Sequence, residues 1–476
     1  MNLLDWSPPQ PADLIDLADP GALQFLLDRY GGSNPDVLQS ILAQVFDAGA
    51  RMTVIEYRYL DPHYRDEHSA FYSKTFRRYP SVAHRVHFFR DAPPTALASD
   101  EVAVTFSGRD YLGFLVVRPV PAAPVGRVAI RPPAQLEAKL EACLVTERAN
   151  LFGDELKVRC IPFIAQDAQL GVCAHATLWM VSQQHHLRSG SPNHLPSHVA
   201  ASAPAELGFG RPIPSAGLTI YQLSAAATRL GIPAFAYVLD ALPPRESLFR
   251  IVCRYLNSGL PVIAAGGGHA WVLVGYQISE TDTGAERIEF IRHDDEVGPY
   301  QVVENPYLDD YAPWEYIVVP LPPHVFVLGE HAEAIGEEYI RDYVHRSPTS
   351  EAASLAEELD RPHSDLTFRT TLVTSNSFKA NLGSRGVPPI LAALLRRSQL
   401  SRLVWVVELT RRSERKAGRP SVLAEAVIDS TDHLRDLRPL LWRVPGQFYS
   451  WIPDQDAQYV QDIPTIPLLP SLIGDH

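Results

Sequence analysis

Cysteine is scarce in this chain: four in 476 residues. So few, and so scattered, exclude a disulfide framework, and any cysteine that matters here acts as a thiol. Long apolar runs are also missing. The longest, near 260–265 and 270–274, stop well short of the ~20 residues a membrane helix needs. Positive charge is in deficit, with 42 Lys and Arg against 55 Asp and Glu for a net charge of −13, which argues against a nucleic-acid partner. The opening MNLLDWSPPQPADLIDL lacks the basic n-region and unbroken apolar stretch of a secretory signal. The expected setting is therefore a reducing cytoplasm, with no membrane association. Proline, by contrast, is abundant, with 41 residues that imply rigid loops and few long helices. No internal repeat is apparent.

Four segments follow from the patterning. Residues 1–50 carry apolar residues at three- and four-residue spacing (LIDLADPGALQFLLDRY, VLQSILAQVFDAGA) and read as helical. Residues 51–150 are β-rich: MTVIEYRYL, AHRVHFF, VAVTF, YLGFLVVRPV and RVAI are short, β-branched and aromatic, with one short helix expected at 136–150. Residues 151–325 carry the chemistry and end in the Pro-rich PLPPHVF. Residues 326–476 alternate helical and strand patterns, and an α/β unit is expected there. The expected fold class is α+β.

Two stretches stand out. In AQDAQLGVCAHATLWM the pattern turns helical after Gly171, which places Cys173 in the first turn. Free backbone N–H groups and the positive end of the helix dipole gather there and favour a thiolate. The Cys173 N–H can serve as one oxyanion donor, and a nearby glutamine, Gln166 or Gln169, as the second. In YLNSGLPVIAAGGGHAWVLVGY a helix ends at Gly259, a buried strand follows, and after three glycines His269 opens a strand apolar on both faces, as a central strand should be. Glycines there allow close approach of another backbone or a substrate.

Pairing 269–278 with 288–294 as a hairpin, its turn centred near Asp282–Ala285, sets His269 opposite 295–298. Asp294 and Asp295 then lie beside or diagonal to the imidazole, where a carboxylate fixes its tautomer. A one-residue slip exchanges the two aspartates.

The order Cys173, His269, Asp294, with cysteine opening a helix and histidine opening a central strand, resembles the papain-like cysteine peptidase superfamily. The pattern Gly259-Leu260-Pro261-Val262-Ile263, His269, Val272-Leu273-Val274-Gly275-Tyr276, Asp294, Gly298 is most similar to its bacterial bacteriocin-processing leader peptidases. The resemblance spans roughly 160–320. It implies a papain-like core, in which a Cys-bearing helix packs on an antiparallel sheet bearing His and Asp. It also implies a cysteine hydrolase acting on peptide or isopeptide bonds of a protein or peptide substrate, with no cofactor and no metal. The chain departs from the family at two points: Asp167 stands six residues before the cysteine, where the family has its oxyanion glutamine, and Ala174 replaces the aromatic that follows the nucleophile in papains. Gln166, one residue further back, is preferred as the donor, and Asn305 is a further candidate third member. Transglutaminase-like acyl transfer and a catalytically inactive binding scaffold are the alternatives.

Cys143, Cys160 and Cys253 lack this context and read as small hydrophobes. His185, His186, His194 and His198 in HHLRSGSPNHLPSH have no cysteine or carboxylate nearby and read as a solvated loop rather than a zinc site.

Overall fold

A computed structural model describes the chain except residues 1–10, 34, 92–105, 107, 168–172, 204–216, 240–244, 281–285, 304–313, 383–388, 417–420, 433–436, 453–456, 464–468 and 471–476. The fold is mixed α+β, and every strand pairing described is antiparallel. No helix among the described residues is long and apolar enough to cross a membrane. The chain forms two compact units, one of Met1–Leu242 with Leu260–Leu321, the other of Pro243–Gly259 with Pro322–His476.

The first unit holds two six-stranded sheets. One runs, in spatial order, Ala12–Asp16, Met52–Tyr59, Ala83–Phe89, Tyr111–Val117, Val125–Ile130 and Phe163–Ile164. The strands over Ala83–Phe89 and Tyr111–Val117 are buried at every position; the second is continuously apolar and aromatic, while the first also buries His84, Arg85 and His87. Two elements here differ from expectation. Ala12–Asp16 is a strand, paired with Met52–Glu56, although it was expected to be helical. Five residues are too few for a helical period and an alternating one to be told apart. Pro62–Ala70 is a helix within the stretch expected to be strands and loops. Its start is written locally: Asp61 caps it by accepting from the Tyr64 N–H at 2.9 Å, and Pro62 takes the first helical position. The segment VAVTF lies mostly outside the described residues.

The other sheet carries the site. Its order is Gly298–Val303, Glu286–Asp294, His269–Glu280, Val262–Gly266, Tyr316–Pro320 and Ala234–Val238. The strand opened by His269 is therefore interior. The helix Cys173–Ser189 packs on it and is buried from Ala174 through His185. This helix is buried around most of its circumference, apolar from Leu178 to Val181 and polar from Ser182 to His185.

In the second unit the helix Arg245–Asn257 joins Gly329–Arg346, Ser350–Leu359 and a sheet ordered Leu366–Thr374, Leu403–Arg411, Ala424–Asp429, Pro439–Val444, Gln447–Ile452, Ala457–Asp462. A buried glutamate holds the early helix there: Glu333 accepts from Arg254 at 2.6 and 2.8 Å and from the Thr370 hydroxyl at 2.8 Å. The region expected to be an α/β unit holds both helices and strands. Helices Ser375–Ala380 and Pro389–Arg397 do lie between the first two strands, but those strands are antiparallel. The residues explain it: Leu366–Thr374 reads LTFRTTLVT, with polar side chains throughout, whereas parallel strands covered on both faces are near-continuously apolar.

Candidate functional site

His269 is delivered by a tight hairpin. Strands Val262–Gly266 and His269–Glu280 pair with Gly266 opposite His269, leaving Gly267 and Gly268 as the two-residue turn. Both have positive φ, 57° and 83°, as the type I′ turn that suits strand twist demands. The glycine run is thus explained by the turn itself. Cys173 sits at the first residue of its helix, half-buried.

The hairpin between His269–Glu280 and Glu286–Asp294 forms, and its register is set by a bulge. Gly275 pairs with Ile291, but Leu273 pairs with Arg292, so one residue of the histidine strand is extra. The outcome selects Asp294: its Oδ1 accepts from His269 Nε2 at 3.0 Å, while Asp295 Oδ1 stands 3.9 Å from the same nitrogen. A side-chain hydrogen bond with Cys173 also acts on the imidazole and raises its pKa. The ring also lies near the Trp271 indole, with centroids 5.8 Å apart.

Burial alone would lower the imidazole pKa. Hydrogen bonds to Asp294 and Cys173, and the charges of Asp294 and Asp295, outweigh it and raise the value to about 11. Burial likewise works to raise the Asp294 pKa, but the His269 hydrogen bond and charge, the Arg292 guanidinium and the Glu296 N–H bring it below the ordinary carboxylate value. Asp295 goes the other way: burial, against the opposing pull of His269 and with repulsion from Asp294, pushes it up to about 8. The environment thus drives two adjacent carboxyls apart, Asp294 below the ordinary carboxylate value and Asp295 above it.

The turn after Asp294 has its own fixings. The Glu296 N–H donates to Asp294 Oδ1 at 3.1 Å, and Gly298, at φ +130°, closes the pairing with Asp294. A Cβ on Gly298 would meet Ser40 Oγ at 2.5 Å. Gly298→Ala is therefore expected to destabilise the protein by about 1–3 kcal/mol, the usual cost of a side chain forced into such backbone, read as a lowered urea midpoint.

Gln166 lies in the same neighbourhood, and its Nε2 donates to the Glu296 carboxylate at 2.7 Å. Asp167, at the family's glutamine position, is buried and accepts from the Tyr72 hydroxyl at 2.8 Å. Gln169 and Asn305 lie outside the described residues. His185 and His186 belong to the helix that runs to Ser189, and Pro196–Ser202 is helical, so the expected solvated loop is confined to the residues between. His185 is buried, and His194 Nε2 is bonded to the Leu230 carbonyl at 2.9 Å.

Two residues near the site escaped the sequence reading. Glu296, bonded to Gln166, carries no local signal. Arg118 does: it is a charge ending the apolar run YLGFLVV. It is fully buried, with Nη1 3.2 Å from Glu67 Oε1 and Nη2 donating to the carbonyls of Val125 at 2.6 Å and of Ala165 and Gln166 at 3.3 Å. It stays cationic, since Glu67 and Asp167 outweigh burial and raise its pKa. The guanidinium thus fixes the backbone at Ala165 and Gln166. Arg118→Ala leaves Glu67 buried and unpaired, together with those carbonyls. A loss of about 3–5 kcal/mol is expected, measured by denaturant unfolding.

No protein-family model matches this chain, and no curated protein matches it. Among solved structures, the crystal structure of UfSP from C. elegans aligns with 34% of this chain and 33% of its own, at 19% identity and a TM-score of 0.22. The chain thus spans about a third of that structure's length, and the reading of the site rests on the chain's own residues.

Proposed function

We propose that this protein is a cysteine hydrolase with a papain-like core, cleaving peptide or isopeptide amide bonds through Cys173, His269 and Asp294. The observation that carries this is a single imidazole that shares a 3.0 Å hydrogen bond with the Asp294 carboxylate and interacts with a thiol at a helix start. That arrangement is what nucleophilic catalysis by cysteine requires.

In this reading the Cys173 proton already rests on His269, whose pKa is raised to about 11, and the thiolate of the ion pair attacks the amide carbonyl. The Cys173 N–H and the Gln166 side chain face the developing oxyanion. An amide has two N–H donors, so the bond from Gln166 to Glu296 leaves one of them for substrate. It also fixes which end of the amide is nitrogen, because a carboxylate only accepts. His269 then protonates the leaving amine, and water releases the thioester. Asp294 holds the imidazole tautomer throughout. Asp295 is not used in these steps.

The test is product analysis by mass spectrometry after incubation with a peptide library. Hydrolysis adds water to each cleaved chain, whereas acyl transfer joins two chains. The absence of either product, from protein whose Cys173 is intact and folded, would sink the enzymatic reading in favour of a binding scaffold.

A further inference from the structure

We propose that His269, Asp294 and Asp295 bind a divalent transition-metal ion of the zinc type. They offer one nitrogen and two carboxylate oxygens, all within 4.8 Å of one another. From His269 Nε2 the distances are 3.0 Å to Asp294 Oδ1 and 3.9 Å to Asp295 Oδ1. Ligands bound at about 2.0–2.2 Å from zinc stand about 3–4 Å apart, so small side-chain adjustments suffice.

A second observation is independent of this clustering. Asp295 is only 1% exposed, and neither of its side-chain oxygens accepts a hydrogen bond from another residue. A carboxyl in that position carries a desolvation cost that the charge of His269, 3.9 Å from its Oδ1, offsets only in part. A cation between the three groups removes that cost. The charges also match: a divalent ion with two carboxylates and a neutral imidazole is net neutral, as a buried cluster needs to be. Arg292 Nη2 lies 3.5 Å from Asp294 Oδ2, on the oxygen facing away from the imidazole pairing. An imidazole alongside two carboxylates favours zinc, cobalt or manganese over calcium or magnesium. On binding, the ion takes the place of the proton shared by His269 and Asp294. That proton, with any on Asp295, leaves to solvent.

Binding of the ion stands apart from the hydrolase reading. Its consequence rests on that reading: an imidazole whose Nε2 is held by a metal is a poor base toward Cys173, so the ion arrests the thiol reversibly.

The experiment uses the full chain, stripped of metal and carrying Cys173→Ser, titrated with Zn²⁺ against a chromophoric chelator and separately with Co²⁺. One equivalent is expected to bind, with visible cobalt bands and no thiolate charge-transfer band. Asp295→Asn in the same background is expected to weaken binding by at least about tenfold, the scale that even outer-sphere partners command. Failure of the Cys173→Ser protein to bind, or undiminished binding by the Asp295→Asn form, overturns the proposal. Should Asp295→Asn not fold, His269→Ala replaces it with the same expected loss, and retained binding overturns the proposal equally. In a parallel arm, wild-type protein is treated with a vinyl-sulfone probe with and without Zn²⁺. Slower labelling that EDTA restores supports the arrest, and unchanged labelling rejects it. If metal-free wild type does not label at all, the hydrolase reading fails while the binding result stands.

Discussion

Cys173→Ala is expected to lower turnover by about a million-fold, the loss seen when the nucleophile of a catalytic triad is removed. The sulfur is the only atom that bonds to substrate in the proposed pathway. Its loss leaves only the oxyanion donors and substrate binding, which alone retain modest catalysis over water. The substitution is conservative for the fold. Cys173 is half-buried at a helix start, and alanine is the best helix former. Circular dichroism and the unfolding midpoint should therefore be close to wild type while activity disappears. Loss of activity with an altered midpoint would mean a structural role instead.

Asp294→Asn is the second large effect. Asparagine keeps the shape but presents either a donor or an acceptor to His269 Nε2, so the tautomer needed to accept the Cys173 proton is no longer enforced. A fall in kcat is expected, smaller than the ~10⁴ of a carboxylate-to-amide change in a serine triad because papain-like triads also work with asparagine, with KM little altered. Asp295 is the natural control. It stands 3.9 Å from the same nitrogen rather than 3.0 Å, so Asp295→Asn should cost distinctly less in kcat. If Asp295→Asn costs more than Asp294→Asn, the assignment of the orienting carboxylate is reversed.

Much of this neighbourhood is legible in the residues themselves. Gly259-Leu260-Pro261-Val262-Ile263 reads as a helix stop and a buried strand. The glycines before His269 read as room for close approach of a backbone or a substrate, whereas Gly267 and Gly268 form a type I′ turn. The hairpin leading to Asp294 and Asp295 follows from two apolar runs and a polar turn. Choosing between the aspartates does not, because the bulge between Leu273 and Gly275 shifts the register by one residue and leaves no mark in the sequence.

Elsewhere the failures have similar causes. Ala12–Asp16 is too short to show a period and gains its identity from pairing with Met52–Glu56, far along the chain. The Pro62–Ala70 helix was announced by Asp61-Pro62 but lay inside a strand-rich stretch. The direction of the C-terminal strands is a tertiary property that an alternation of helix and strand patterns leaves open. The grip of Arg118 on the Ala165 and Gln166 carbonyls is a contact across 47 and 48 residues, visible only once the fold is assembled.

The central claim is that His269 activates Cys173. The most direct measurement is the rate at which each cysteine reacts with a vinyl-sulfone probe, resolved by peptide mass spectrometry in wild type and in His269→Ala. The chain supplies its own reference, since Cys253 is also partly exposed whereas Cys143 and Cys160 are buried. The prediction is that Cys173 reacts far faster than Cys253 in wild type and falls to the rate of Cys253 in His269→Ala. Equal rates for the two in wild type, or a Cys173 rate indifferent to His269, would contradict it.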